Sequence, residues 1–166
     1  MEYAHGGPIL EWDEVNEKFF PPKYKGYLCE DTLKVLFNQI IDGVEYSKFS
    51  IPNFLSYLVV HSQGIIHGDI KPQNILHDSL GRPKIADFGS AVRLEDPKND
   101  KLTCAEGTSY FLAPETQSEN LATEGYSAKG ADIWAMGVTF YAIIFHCLPF
   151  YHENMLGLYD KIMNEP

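Results

Sequence analysis

His67-Gly68-Asp69-Ile70-Lys71-Pro72-Gln73-Asn74, with Asp87-Phe88-Gly89 following it, decides how this chain is read. The octapeptide sets a carboxylate, an ammonium and an amide close together, and the tripeptide adds a second carboxylate on a neighbouring turn. In an extended segment alternate side chains share a side, so Lys71 is expected to face the same way as Asp69. Such a set suits transfer of a phosphoryl group from a metal nucleotide, where the protein contributes positioning and charge neutralisation more than covalent chemistry. Asp69 can accept the proton of an attacking hydroxyl, and Lys71 can neutralise the charge on the moving group. Asn74 and Asp87 offer hard oxygen ligands to Mg²⁺.

Downstream come Gly107-Thr108, then Ala113-Pro114-Glu115, then Asp132-Ile133-Trp134-Ala135-Met136-Gly137. With these motifs in this order the chain resembles the catalytic core of a eukaryotic protein kinase, whereas an isolated Asp-Phe-Gly would carry little weight. Lys71-Pro72 is similar to the serine/threonine branch. The resemblance implies an α+β, mainly α fold: the large, C-terminal lobe of a kinase, incomplete, with the small lobe absent. It divides the chain into a hinge at 1–10, a linker at 11–29 and the large lobe over 30–166, with an unusual insert at about 47–60. ATP and Mg²⁺ are the implied cofactors, with hinge backbone at Glu2 and Ala4 holding the adenine edge and Asn74 and Asp87 holding the metal.

Further roles carried by the resemblance are supporting ones. His67 braces the catalytic loop, Phe88 packs as an internal spring, Gly89 permits the backbone turn, and Asp132 is a buried acceptor for catalytic-loop amides. Thr108 links the substrate loop to Asp69 and Lys71. Glu115 pairs with an arginine that the family places beyond the position of Pro166. Gly68 departs from the family, whose arginine there pairs with a phosphorylated activation loop. The phosphoacceptor position of many kinases is Cys104, with Thr103 beside it, so loop phosphorylation is expected to matter little.

At 166 residues with 45% hydrophobic and 13% aromatic content the chain can bury a core. A formal charge of −10 argues against a nucleic-acid partner or an anionic membrane surface. Protein substrates with basic segments, a monomeric state and a cytoplasmic location fit better. Cys29, Cys104 and Cys147 lack metal-ligand spacing, and scattered cysteines suit a reducing compartment. The apolar stretch from Ala131 to Phe150 contains Asp132 and His146, so a buried core helix is expected rather than a membrane span.

Along the chain, Pro21, Pro22 and Gly26 interrupt any helix and suggest a surface linker with aromatic anchors over 11–29. From Glu30, apolar residues at Leu33, Leu36, Phe37, Ile40, Ile41 and Val44 predict a core-facing helix. The apolar segment Ser47 to Val60 reads either as a family-specific extension or as translated non-coding sequence. Ile65–Ile66, Ile75–Leu76 and Lys84–Ala86 predict short strands. A nearly all-apolar helix over Ala131 to Cys147 and a short one over Glu153 to Met163 follow.

The resemblance is finest to the calcium/calmodulin-dependent protein kinase kinases and the plant kinases that activate SNF1-related kinases, through Gly68 and the helix after Asp132. It implies an upstream kinase acting on the activation-loop threonine of another kinase. The chain on its own is expected to have negligible activity. Two rivals are a pseudokinase-like interaction module and a small-molecule kinase of aminoglycoside or choline type, which shares His-Gly-Asp but not Lys71-Pro72, Ala-Pro-Glu or Asp-Ile-Trp.

Overall fold

Ser127 sets the start of the helix around which the molecule is arranged. Its hydroxyl accepts from the Gly130 amide at 3.1 Å and donates to Asp100 at 2.6 Å, so cap and neighbouring loop are fixed by one side chain. The computed structural model describes residues 7–21, 34, 61–79, 83–118 and 120–165. The helix they contain, α2, spans Ala128–Phe145 and ends where His146 turns left-handed at φ 57°. It begins one turn before the predicted Ala131, because capping by Ser127 and burial of Ala128, rather than apolar periodicity, define its first turn. Ala135, Met136, Val138, Ala142 and Ile143 point into a core completed by Phe19, Ile70, Ile75 and Phe111.

The linker expected over 11–29 is corrected where it is described. Strands β1 (Glu11–Asp13) and β2 (Lys18–Phe20) form an antiparallel hairpin with Trp12 opposite Phe19. The prolines that forbid a helix do not forbid a hairpin, and alternation along β2 turns Phe19 inward and Lys18 and Phe20 outward. The Asp13 carboxylate closes the turn by accepting from the amides of Val15 and Asn16. Phe19 packs edge-on against Trp12 at 4.8 Å, and its amide donates to the His146 carbonyl at 2.9 Å. The hairpin is thereby tied to the C-terminal end of α2.

The predicted short strands are present as β3 (Ile65–Ile66), β4 (Ile75–His77) and β5 (Pro83–Ile85). β4 pairs antiparallel with β5, and β3 with β6 (Val92–Arg93), a partner too short to stand out in the sequence. β7 (Lys101–Leu102) pairs with β8 (Tyr126–Ser127) and ties the loop after β6 to the base of α2. Upstream of β1 the chain runs beside β4, with Ile9 donating to Ile75 at 2.7 Å and His77 to Gly7 at 3.0 Å. The short helix α1 spans Leu121–Glu124. Asn154 caps α3 (Met155–Asn164), which buries Leu158 and Ile162 and starts two residues after the predicted Glu153. Among the described residues no helix is long and apolar enough to cross a membrane. The helix predicted from Glu30, the insert at 47–60 and the hinge residues Glu2 and Ala4 lie outside the described residues.

Candidate active site

The loop between β3 and β4 is built on one buried side chain. Ile70 is 2% exposed and anchors the middle of the octapeptide. Asp69 and Lys71 flank it, so in extended backbone both turn to the opposite side; Lys71 has φ −162° and ψ 162°. A 3₁₀ turn over Pro72–Asn74 then leads into β4. Hairpin pairing brings the second carboxylate near, since Ala86, next to Asp87, donates its amide to the Asn74 carbonyl at 2.8 Å.

The Asp69 carboxylate is fully engaged. Its Oδ1 accepts from the amide and the hydroxyl of Thr108, at 3.0 and 2.7 Å. Its Oδ2 accepts from Lys71 Nζ at 2.6 Å and from Asn74 Nδ2 at 3.1 Å. Lys71 also donates to the Thr108 hydroxyl at 2.8 Å, which closes a triangle of three side chains. Burial pushes the Asp69 carboxyl up, but the bonds from Lys71 and Thr108 and the Lys71 charge outweigh it, leaving it below the ordinary carboxylate range. An anion held this firmly orients a hydroxyl better than it deprotonates one.

Asp132 holds the loop from beneath. At 3% exposure it accepts from the backbone amides of His67 (Oδ2, 2.9 Å) and Gly68 (Oδ1, 2.9 Å). His61 Nε2 meets Oδ2 at 2.8 Å, a third partner that the sequence reading missed. Its signal in the sequence is weak, because Asp132 lies seventy-one residues downstream. His67 is fully buried; its Nδ1 accepts from the Asp69 amide at 3.3 Å, so Nε2 carries the proton given to the Ala86 carbonyl at 3.0 Å. One imidazole thus joins the Asp69 loop to the Asp87 loop.

Two expectations at the tripeptide are corrected. Phe88 meets the edge of the His67 ring at 4.8 Å but is 45% exposed, so it is not an internal spring among the described residues. The left-handed turn falls on Asp87, φ 61°, rather than on Gly89. Aspartate tolerates this region because its carboxylate caps the local backbone, here the Gly89 amide at 3.3 Å. Gly89 contributes space instead, since a Cβ there would meet Asp87 Oδ1 at 3.1 Å. Thr103 and Glu115 are exposed and make no contact with the Asp69 carboxylate.

Gly107 is required for a different reason. Its φ is 121°, and a Cβ would lie 2.5 Å from the Gly68 carbonyl oxygen. Gly107→Ala is therefore expected to push Thr108 off Asp69 and cost about 1–3 kcal/mol of stability. A urea midpoint unchanged from the parent protein would contradict that close approach.

Asn74 directs its amide nitrogen to the Asp69 carboxylate and the Asp69 carbonyl, the latter at 2.8 Å, which leaves its carbonyl oxygen for a cation. Asp87 adds a carboxylate. Two hard oxygens fit Mg²⁺, which binds one or two protein groups together with substrate phosphates and water.

The loop and its contact with Thr108 are of the kinase kind, and sequence comparison agrees. The protein kinase domain family matches residues 1–165, and the chain belongs to that family. It is 34% identical, over 99% of its length, to a probable serine/threonine-protein kinase of Dictyostelium discoideum, covering 20% of that protein. It is 36% identical to CBL-interacting serine/threonine-protein kinase 5 of Arabidopsis thaliana, over 98% of this chain and 31% of that protein. CBL-interacting protein kinase 32 of Oryza sativa subsp. japonica is 35% identical over 99% of this chain and 32% of its own length. The chain thus spans between a fifth and a third of these relatives.

Proposed function

We propose that this chain is the catalytic-loop portion of a protein serine/threonine kinase that transfers the ATP γ-phosphoryl group to a protein hydroxyl. The observation that carries the reading is the triangle of Asp69, Lys71 and Thr108, with Asn74 bonded to the same carboxylate and Asp87 one residue past the Ala86–Asn74 contact. Mg²⁺ would supply charge neutralisation across the nucleotide phosphates when bound by Asn74 and Asp87. Asp69 positions the incoming hydroxyl and receives its proton late, as the oxygen bonds and loses basicity. Lys71 donates to Asp69 and Thr108, so its ammonium is held at the carboxylate that would orient the hydroxyl, where it can neutralise the transferred charge. Thr108 fixes the substrate loop relative to the catalytic carboxylate.

The substrate is a protein segment, in the finer reading the activation-loop threonine of another kinase. Gly68 supports that reading by its likeness to the kinase-activating kinases. The protein works as a cytoplasmic monomer, and the activity belongs to the whole protein rather than to these 166 residues alone. Incubating the full-length protein with Mg²⁺, ATP and a kinase whose activation-loop threonine is free tests this. Incorporation at that threonine, abolished by chelating Mg²⁺, is the expected outcome; incorporation only into a small-molecule alcohol would favour the aminoglycoside-type rival.

Among the described residues of this neighbourhood the loop's own phosphorylation has no receptor. Thr103 lines a cavity whose described walls include Gly68 and Val92 and no basic residue. Thr103→Ala in the full-length protein is therefore expected to retain activity within about twofold, since no charge-assisted contact is lost. A steady-state rate reduced to background would contradict it.

A further inference from the structure

Beside the catalytic loop at Gly68 lies a cavity of about 210 Å³. It exists because Gly68 contributes no side chain there. Glycine is also what the backbone demands, with φ 79° and a would-be Cβ 2.8 Å from the Ser90 carbonyl oxygen. Ile66, Val92, Leu102 and Tyr126 line it, with Cys104 and Glu106 among its remaining walls. Strand register explains why the nearby cation stays out. Ile66 pairs with Val92 and both line the cavity, so Arg93, the next residue along, turns to the other face.

The electrostatics are one-signed. No Lys, Arg or His is among the described lining residues, and Glu106 is exposed at the cavity. Burial first, then the acidic groups Asp132, Cys104, Glu106 and Glu115, hold the Tyr126 hydroxyl above its ordinary value. An anion would be repelled here. The exposed Glu106 carboxylate stays hydrated beside a wholly apolar guest, whereas a cation on a short alkyl stem uses the apolar walls and the carboxylate together.

We propose that this cavity is a receptor for an alkyl cation of the arginine or lysine side-chain type, its stem on Ile66, Val92 and Leu102 and its charge at Glu106. A kinase loop that elsewhere reads a phosphate with an arginine here presents the opposite polarity. The ligand is a free organic cation or a side chain of a partner protein, two sources of one chemistry.

Cys104 is a free, exposed thiol on the cavity wall and reports occupancy. In the full-length protein, the rate of Cys104 alkylation by iodoacetamide is followed by peptide mass spectrometry against n-butylguanidinium, n-butanol and butyrate. Butylguanidinium at about twice its dissociation constant is expected to slow alkylation about threefold by mass action, with saturation. Cys147 should be unaffected, and neither butanol nor butyrate should match the effect. Glu106→Gln should remove most of the protection, and Val92→Lys, which places a competing ammonium in the cavity, should remove it all. An arginine-containing hexapeptide, compared with its citrulline twin, separates the sources. Tighter protection by the peptide assigns a partner side chain, and tighter protection by butylguanidinium assigns a free cation. Absence of protection by either cation, equal protection by butyrate, or protection retained in Glu106→Gln would overturn the proposal.

Discussion

Asp69→Asn in the full-length protein will leave Mg·ATP binding in place and lower the rate of phosphoryl transfer by about 10²–10⁴-fold, the range removed with a positioned acid or base. The carboxylate accepts four hydrogen bonds, two at each oxygen. An asparagine keeps one acceptor oxygen for Thr108 but turns an NH₂ toward Lys71 Nζ and Asn74 Nδ2, both donors. Two donors then face a donor, Lys71 loses its counter-ion at 2.6 Å, and the hydroxyl to be phosphorylated loses its orienting anion. Asp87 is untouched and Asn74 keeps its bond to the Asp69 carbonyl at 2.8 Å, so the loss should appear chiefly in kcat rather than in nucleotide affinity. A variant with more than half the parental kcat would remove Asp69 from the mechanism.

The second large effect is structural. Asp132→Ala strips the acceptor from two backbone amides and from His61, all in a buried setting. Each orphaned buried donor costs about 1–3 kcal/mol, so the three together cost on the order of 3–9 kcal/mol. Because His67 and Gly68 are the two residues before Asp69, the loop should loosen before the core does. Urea unfolding of the full-length protein should show that loss at the midpoint. Asp132→Asn should recover only part of it, since an amide offers a donor where two backbone N–H groups and an imidazole converge. A loss below about 1 kcal/mol in the alanine variant would mean the loop is held by other contacts.

Why some of this was legible in sequence and some was not follows from the range of the interactions. Asp69, Lys71 and Asn74 lie within six residues, so extended backbone and one turn fix their relation, and Lys71 reaches Asp69 as alternation predicts. Ile65–Ile66 and Ile75–Leu76 announced strands because apolar pairs beside turns have few other uses. The hairpin over 11–20 was hidden by Pro21 and Pro22, which speak against a helix and say nothing of strands. The site's less visible parts depend on long-range partners. His61 acquires meaning only through Asp132, seventy-one residues away. Gly89 is the residue expected to permit the turn, because glycine is the usual left-handed residue, yet Asp87 takes that conformation and caps it with its own carboxylate. The start of α2 was set by a serine cap and a buried alanine, features that leave no periodic trace.

The central claim is that Asp69, Asn74 and Asp87 act together around a metal-bound triphosphate. Its most direct test is the equilibrium affinity of the full-length protein for ATP with Mg²⁺ and with chelator, in the parent and in Asp87→Asn. The account predicts that Mg²⁺ tightens ATP binding in the parent, and that Asp87→Asn abolishes the tightening while leaving metal-free affinity unchanged. A magnesium dependence that survives intact in Asp87→Asn would contradict it.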